Sequence, residues 1–332
     1  MIHILGCGPL NTVQDLGRAG YRNIGVTATG AMDPVALRVG NILVGNSENT
    51  AGIEIQTFPF RIEFEEAMSF SLTGADCAAK LDGKDLPPWW AMRAEKGQVL
   101  ELSTPLKNAR AYLCLEGGVD VPLVMGSRST SLRGSFGGHE GRPLMAGDRL
   151  PVSEGQALPM PPNGLGVVPA REAMADFFPN ADDGALVLRA TPAAEHDLFS
   201  KDADRFWSAN WKISSQSDRT GYRLSGAPLQ LPAPVELRSY GIIPGVVQVP
   251  PSGELIIQMS DANTAGGYPK IAGIIDCDLW RLGEARIGST ITFVQTTLDE
   301  ARRIESAIEN YIADIRKTLP LVSSALSSMG KR

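Results

Sequence analysis

A short unit recurs three times in this chain: a glycine turn followed at once by alternating residues. It appears as Lys96-Gly-Gln-Val-Leu-Glu-Leu102, as Ala146-Gly-Asp-Arg-Leu-Pro-Val152 and as Ile287-Gly-Ser-Thr-Ile-Thr-Phe293. Glycine reverses the backbone without steric cost, and the alternation that follows has the two-residue period of a half-buried strand. Other short runs are bounded by Gly, Pro, Asp or Ser: Ala111–Leu115, Leu186–Leu188 and Val246–Val249. With 35 glycines and 23 prolines, turns are frequent and long helices are disfavoured. The pattern predicts a mostly β chain of barrels or sandwiches.

Helices are few and well punctuated. Asp33 is placed to cap a helix that Pro34 opens and that runs to Val44, with Gly40 as its weak point. Thr191-Pro192 and Ser200 are cap signals for two further short helices. Ile304, Ile308, Tyr311, Ile312 and Ile315 are spaced for one helical face, which predicts an amphipathic helix over 299–318 ending before Pro320.

At 332 residues the chain exceeds the usual size of one compact core, so two domains are expected. The stretch Leu158-Pro-Met-Pro-Pro-Asn-Gly-Leu-Gly166 has linker composition. It divides the chain into a first domain over 1–157, a second over 167–298 and a C-terminal helix and tail over 299–332. A five-residue echo between Arg18-Ala-Gly-Tyr-Arg22 and Arg219-Thr-Gly-Tyr-Arg223, each with an aspartate just upstream, hints at related halves.

A net charge of −6 lacks the basic footprint of a nucleic-acid binder. No apolar run approaches the length of a membrane span, and no signal-peptide pattern is visible. Cys7, Cys77, Cys114 and Cys277 are scattered, and the histidines are only His3, His139 and His196. That spacing predicts no metal site and reduced thiols in a cytoplasmic protein. Ile4-Leu-Gly-Cys-Gly8 begins like a dinucleotide fingerprint, but its third glycine position is Asn11. There is no Gly-x4-Gly-Lys-Ser/Thr phosphate loop and no Gly-x-Ser-x-Gly elbow.

Chemistry concentrates in Asp261-Ala-Asn-Thr-Ala-Gly-Gly-Tyr-Pro-Lys270, between the strand-like runs Leu255–Met259 and Ile271–Ile275. A carboxylate, an amide, a hydroxyl, two glycines and an amine on one loop suit ligand binding. A plain hairpin loop in which Gly266-Gly267 only turns the chain is the competing reading. Three further clusters, Asp15–Arg18, Gly126-Ser-Arg-Ser-Thr130 and Ser217-Asp-Arg219, offer guanidinium groups among acids and hydroxyls. They suit carboxylate or phosphate ligands, or equally internal ion pairs.

These residues, with Thr12–Gly20, Gly25–Asp33, Asn41–Asn46, Gly117–Pro122, Ser217–Leu224, Gly241–Gly245 and Gln248–Pro251 in that order, resemble the biotin-dependent carboxyltransferase-like family. That family is also labelled allophanate hydrolase subunit 2 or KipA-like, and it includes the C subunit of bacterial 5-oxoprolinase. The resemblance covers nearly the whole chain and implies two cyclophilin-like β-barrel domains with a few short helices and a C-terminal helix. It implies a subunit of an ATP-dependent amidohydrolase that opens 5-oxoproline to glutamate, working with a KipI-like B subunit and a separate A subunit. Two alternatives come with the family: a carboxyltransferase component of a biotin-dependent urea carboxylase system, and a regulatory protein that antagonises a KipI-like kinase inhibitor.

The implied catalytic residues are Asp261, Lys270, Arg219 and Arg18. Those implied for substrate binding are Asn263, Thr264, Gly266, Gly267, Tyr268, Arg128, Gln248 and Asp33. Asp261, Asn263, Lys270 and one of Arg18 or Arg219 are expected to face a common cleft, with Asp261→Ala removing turnover and sparing stability. Asn263 and Ala265 stand where the family loop usually has Gln and Thr, and Thr220 where it usually has Met. Asn keeps the amide but is shorter by one methylene, which puts the preferred substrate or partner in question.

Overall fold

The computed structural model describes residues 1–156 and 158–329. Ala157, the last residue of the expected first domain, and the tail 330–332 lie outside the described residues. Contacts divide the chain into two units. One holds Met1–Arg18, Thr29–Ala173 and Glu309–Arg332, and the other Ala19–Ala28 and Met174–Ile308. The division follows neither of the expected borders closely. A ten-residue segment of the N-terminal half groups with the second unit, and the C-terminal helix is shared.

In the first unit the strands form two six-stranded sheets. One runs in the order Arg149–Leu150, Ile2–Gly6, Phe60–Phe64, Val99–Leu102, Lys80–Leu81, Lys84–Asp85. The other runs Leu165–Gly166, Trp90–Ala94, Met68–Asp76, Lys107–Leu115, Gly52–Ile55, Thr12–Gln14. Alternate side chains, among them Ile2, Ile4, Phe60, Ile62, Phe64, Leu100, Leu113 and Ile53, make one core. The helix Pro34–Leu43 packs on the second sheet, and Asp33 caps it by accepting from Ala36 N–H. Gly40 has a packing reason: a Cβ there would stand 2.9 Å from both Cys114 Sγ and Thr73 Oγ1.

The second unit is a closed barrel of seven strands: Leu186–Pro192, Lys270–Ile274, Val246–Gln248, Leu255–Gln258, Gly221–Ser225, Trp211–Ile213 and Thr290–Gln295. The last pairs in parallel with the first and closes the ring. Closure leaves no open edge for another chain to extend. Phe206 of the helix Lys201–Ser208 stacks on Phe293, with centroids 4.4 Å apart. Asp278, fully buried, accepts from Arg189 N–H and from its guanidinium, which ties the helix Asp276–Gly283 to the barrel.

All three glycine-turn units are built alike. Gln98, Asp148 and Ser289 N–H donate to Glu95, Met145 and Arg286 carbonyls three residues back, at 3.2, 3.1 and 3.0 Å. The glycines at the third position have φ of +85°, +97° and +87°, as that turn form requires. Each glycine N–H also donates to a preceding strand, reaching Phe64, Ile4 and Ile213 carbonyls.

Three local expectations are corrected. Thr191-Pro192 opens no helix: both residues end a strand, paired with Gly273 and Ala272. Pairing on both sides of that strand outweighs the local cap signal, and a short 3-10 turn, His196–Phe199, follows instead. Ser200 does precede a helix, but its φ is +50° and its side chain makes no capping bond. The C-terminal helix does not stop before Pro320; it runs Leu298–Met329 with the proline inside. Burial on both sides of the proline carries it through, since Leu319 and Ser323 are buried and the Ser323 hydroxyl donates to Pro159 O.

Candidate functional site

The loop between Leu255–Gln258 and Lys270–Ile274 is not a hairpin. Those strands are not neighbours; Val246–Gln248 lies between them and pairs with both. The loop therefore crosses one strand. On the way Ala265–Gly266 pairs with Tyr240–Gly241 as a separate two-stranded flap.

Lys270 begins its strand opposite Gln248, and the register slips by one residue between that pair and Val247↔Ala272. The extra residue is Ile271, so a bulge puts the Lys270 and Gln248 side chains on one face. Gln258 is two residues beyond Ile256, the residue opposite Gln248 on the next strand. Period-two alternation places it on the same face. Lys270, Gln248 and Gln258 thus form a row across three strands.

Lys270 is 3% exposed. Its ammonium donates to Gly266 O at 2.9 Å and lies 3.4 Å from the centroid of the Tyr240 ring. Burial pulls its pKa down, and the charge of Glu195 works the other way. Glu195 accepts from the Tyr240 hydroxyl at 2.8 Å and from Lys270 N–H at 3.1 Å. Burial and that carboxylate push the Tyr240 hydroxyl up to about 12. The result is a desolvated ammonium held by a carbonyl and an aromatic face, with a carboxylate one residue removed. Such a group stabilises negative charge more strongly than a hydrated lysine.

At the other end of the loop, Arg219 and Asp261 make a two-point ion pair, Nε to Oδ2 at 3.1 Å and NH2 to Oδ1 at 3.0 Å. Their side chains are 3% and 7% exposed. Asp261 N–H donates to Arg219 O, so backbone and side chains clasp the loop's start to the neighbouring strand. Asn263 and Thr264 offer their carbonyls to the Arg22 guanidinium (3.2 Å) and Ile242 N–H. Arg22 also donates to Ile242 O. Gly266 and Gly267 approach neighbours closely: a Cβ would lie 2.7 Å from Gln248 Nε2 and 3.1 Å from Leu237 O respectively. Tyr268 is exposed.

The remaining candidates belong to the first unit, where the structure gives them internal partners. Arg18 is 1% exposed and donates to Thr29 Oγ1 and Ser129 O, both at 2.6 Å, beneath the Phe136 ring. Asp15 accepts from Ser127 and Ser129 hydroxyls and from Gly17 and Arg128 N–H. The Arg128 guanidinium reaches Val121 O and Asp120. Asp33 is the helix cap. The echo extends to one bond: Asp15 Oδ1 accepts from the N–H two residues on, and Asp218 Oδ1 does the same for Thr220, both at 2.7 Å. Among the described residues no group of three or more His, Cys, Asp or Glu is placed to hold a metal.

Sequence reasoning passes over Glu195, Tyr240, Gln258 and Arg22. Tyr240 sits one residue before a block that carries the family resemblance, and Arg22 closes the first half of the echo. Glu195 and Gln258 carry no local signal: Glu195 reaches the loop from the turn after Leu186–Pro192, and Gln258 ends the strand that leads into it.

Residues 24–295 match the model of the carboxyltransferase domain, subdomain A and B. The chain belongs to that family. It is 41% identical to the C subunit of 5-oxoprolinase from Haemophilus influenzae over 318 residues, which is 96% of this chain and 98% of that one. It is also 41% identical to the protein of the same name from Escherichia coli, over 95% and 97% of the two chains. The solved urea amidolyase of Kluyveromyces lactis superposes on 94% of this chain with a TM-score of 0.82 at 26% identity, using 20% of its own length. The mostly β architecture of this chain is thus shared with a section of a much longer enzyme. No helix among the described residues is long and apolar enough to cross a membrane.

Proposed function

We propose that this chain is the C subunit of an ATP-dependent 5-oxoprolinase-type amidohydrolase, acting with a KipI-like B subunit and a separate A subunit. The observation that carries this reading is the 41% identity to two 5-oxoprolinase C subunits across nearly the full length of both partners. The chemistry explains why a site of this kind suits the task. A lactam is a stable amide that water attacks slowly. Phosphorylation of its carbonyl oxygen by ATP makes the ring carbon a better electrophile; water adds, the C–N bond breaks to leave a glutamyl phosphate, and a second water hydrolyses that acyl phosphate to glutamate and phosphate. Two waters, one lactam and one ATP give glutamate, ADP and phosphate.

Negative charge develops on oxygen during both the transfer and the attack, and preorganised cations and donors stabilise it. Lys270 is the cation this loop supplies. In this reading Asn263 and Thr264 orient the amide, and the Arg219–Asp261 pair supports the loop that carries them. The sequence has no phosphate loop of its own, so the nucleotide is assigned to a site completed by a partner subunit. The test is reconstitution from purified A, B and C subunits with ATP-dependent release of glutamate as the readout. Turnover is expected only with all three; full activity without this chain removes the reading.

The second reading, a carboxyl-transfer component, is favoured by the 0.82 superposition on urea amidolyase. Biotin would then be the carboxyl carrier, brought by a separate protein. Transfer of carboxylate from carboxybiotin to urea by this chain with its sister subunit, and no oxoproline turnover, would select it.

A further inference from the structure

Two buried amides on the barrel lack partners for one atom each. Gln258 Nε2 donates to Gln248 Oε1 at 2.9 Å. That bond leaves Gln248 Nε2 and Gln258 Oε1, each buried and neither with a hydrogen-bond partner among the described residues. Both residues are 4% exposed. Buried polar atoms in folded proteins are nearly always paired, so a matched donor and acceptor left open on adjacent strands call for a reason. The inventory does not depend on how the two amides are turned. Reversing both reverses the bond between them and still leaves one N–H donor and one carbonyl acceptor open.

What lies over the pair is the flap. The Gly266 backbone passes so near Gln248 Nε2 that a Cβ would stand 2.7 Å from it. Gly221, with no side chain, stands opposite Gln258 on the other side. Lys270, opposite Gln248, ties its ammonium to the same Gly266 carbonyl. The flap strands are two residues each, Tyr240–Gly241 and Ala265–Gly266, and Tyr240 is 43% exposed. The flap is tied down by polar contacts, Lys270 to Gly266 O and the Tyr240 hydroxyl to Glu195.

We infer that Gln248 and Gln258 form a recognition edge for a cis-amide, reached when the Tyr240–Gly241/Ala265–Gly266 flap lifts. A lactam ring presents its N–H and C=O on one edge, pointing the same way. Gln258 accepts from the ring N–H, Gln248 donates to the ring oxygen, and the Lys270 ammonium stands beside that oxygen. An ester ring or an N-alkylated lactam offers no N–H and leaves the Gln258 carbonyl unmet, which a site built for hydrogen bonding rejects strongly. The inference deepens the cyclic-amide reading above and rests on it for the choice of ligand.

The test uses the full chain, alone and in the reconstituted assembly, with 2-pyrrolidinone and N-methyl-2-pyrrolidinone as probes. Wild type is expected to bind 2-pyrrolidinone at least ~10-fold more tightly than the N-methyl ring, since a site that hydrogen-bonds a ligand group discriminates against its absence. The Gln248→Met/Gln258→Met variant is expected to lose that preference while its melting temperature stays level or rises, because two unmet polar atoms are gone. A melting temperature that falls together with binding assigns the pair to the scaffold and overturns the inference, as does a preference that survives in the variant. Oxoproline turnover unchanged in the variant removes the edge and leaves the proposed function standing. A wild-type preference for the N–H lactam with no oxoproline turnover keeps the edge and removes the proposed substrate.

Discussion

Asp261 and Lys270 stand nine residues apart on one loop and answer to different physics. Asp261 commits both oxygens to Arg219 in a buried pair. Removing one partner of such a pair costs about 3–5 kcal/mol, because it strands the other charge out of water. Asp261→Ala is therefore expected to lower the unfolding free energy by that order, and activity will fall with it. The sequence alone suggested loss of turnover with stability spared. Urea unfolding of the variant decides between them, and a midpoint matching wild type removes the clasp from the scaffold. Lys270 is under the opposite strain. Burial holds its pKa below the ordinary lysine value, so in the window between the two the unfolded chain binds a proton that the folded chain does not. Stability then rises with pH through that window, and the penalty is fully present below it. Lys270→Met lacks this rise. Its stability relative to wild type is expected to be greatest near neutral pH and to shrink as pH climbs toward 10.5, the unshifted lysine value. Equal pH slopes for the two proteins would mean that the amine is solvated.

At the scale of elements, the three glycine turns were readable because their chemistry is local. One residue needs positive φ, and only glycine adopts it without strain. An added Cβ would meet nothing within 4 Å at Gly97 or Gly147, and at Gly288 only Lys212 Cε at 3.8 Å. Alanine at any of the three therefore costs backbone strain alone, about 1–2 kcal/mol, and the three losses should be nearly equal by chemical denaturation. Gly117 is the contrast: its Cβ would stand 1.9 Å from Ser153 O, so Gly117→Ala is expected to cost clearly more. Equal effects at Gly117 and Gly97 would show that conformation, not space, sets both. Where sequence reasoning failed on elements, distant packing was the cause. Pro320 reads as a stop but sits inside a helix whose far side is buried at Leu319 and Ser323. The competing reading of Leu255–Gln258 and Lys270–Ile274 as a hairpin fails because the preceding strand, Val246–Gln248, lies between them.

For the whole molecule, a strand-rich chain was legible from turn spacing, but the Pro/Gly stretch at 158–166 lies inside the first unit and ends in the strand Leu165–Gly166. Turn spacing did not give the form of each part; the expectation of β-barrel domains came with the family resemblance. One is a pair of six-stranded sheets over a common core and the other a closed ring of seven strands. Alternation has the same period in both, because it records which face is buried and not which strand lies alongside. Nor could local composition show that Ala19–Ala28 groups with the later half. That segment brings Arg22 to the Ile242 and Asn263 carbonyls.

Sequence alone determined the features that one residue or one turn decides: positive-φ glycines, the Asp33 cap, strand periodicity, and a loop dense in polar groups. It also carried the family, through several blocks in fixed order. Tertiary structure decided what depends on strand order and register. The bulge at Ile271 turns Lys270 onto the Gln248 face, the register of Val246–Gln248 against Leu255–Gln258 sets Gln258 beside that amide, and the flap carries Tyr240 over the amine while Glu195 takes its hydroxyl. Hydrogen bonding between strands is blind to distance along the chain. A site assembled across strands from 195 to 270 therefore leaves only fragments of itself in any local stretch of sequence.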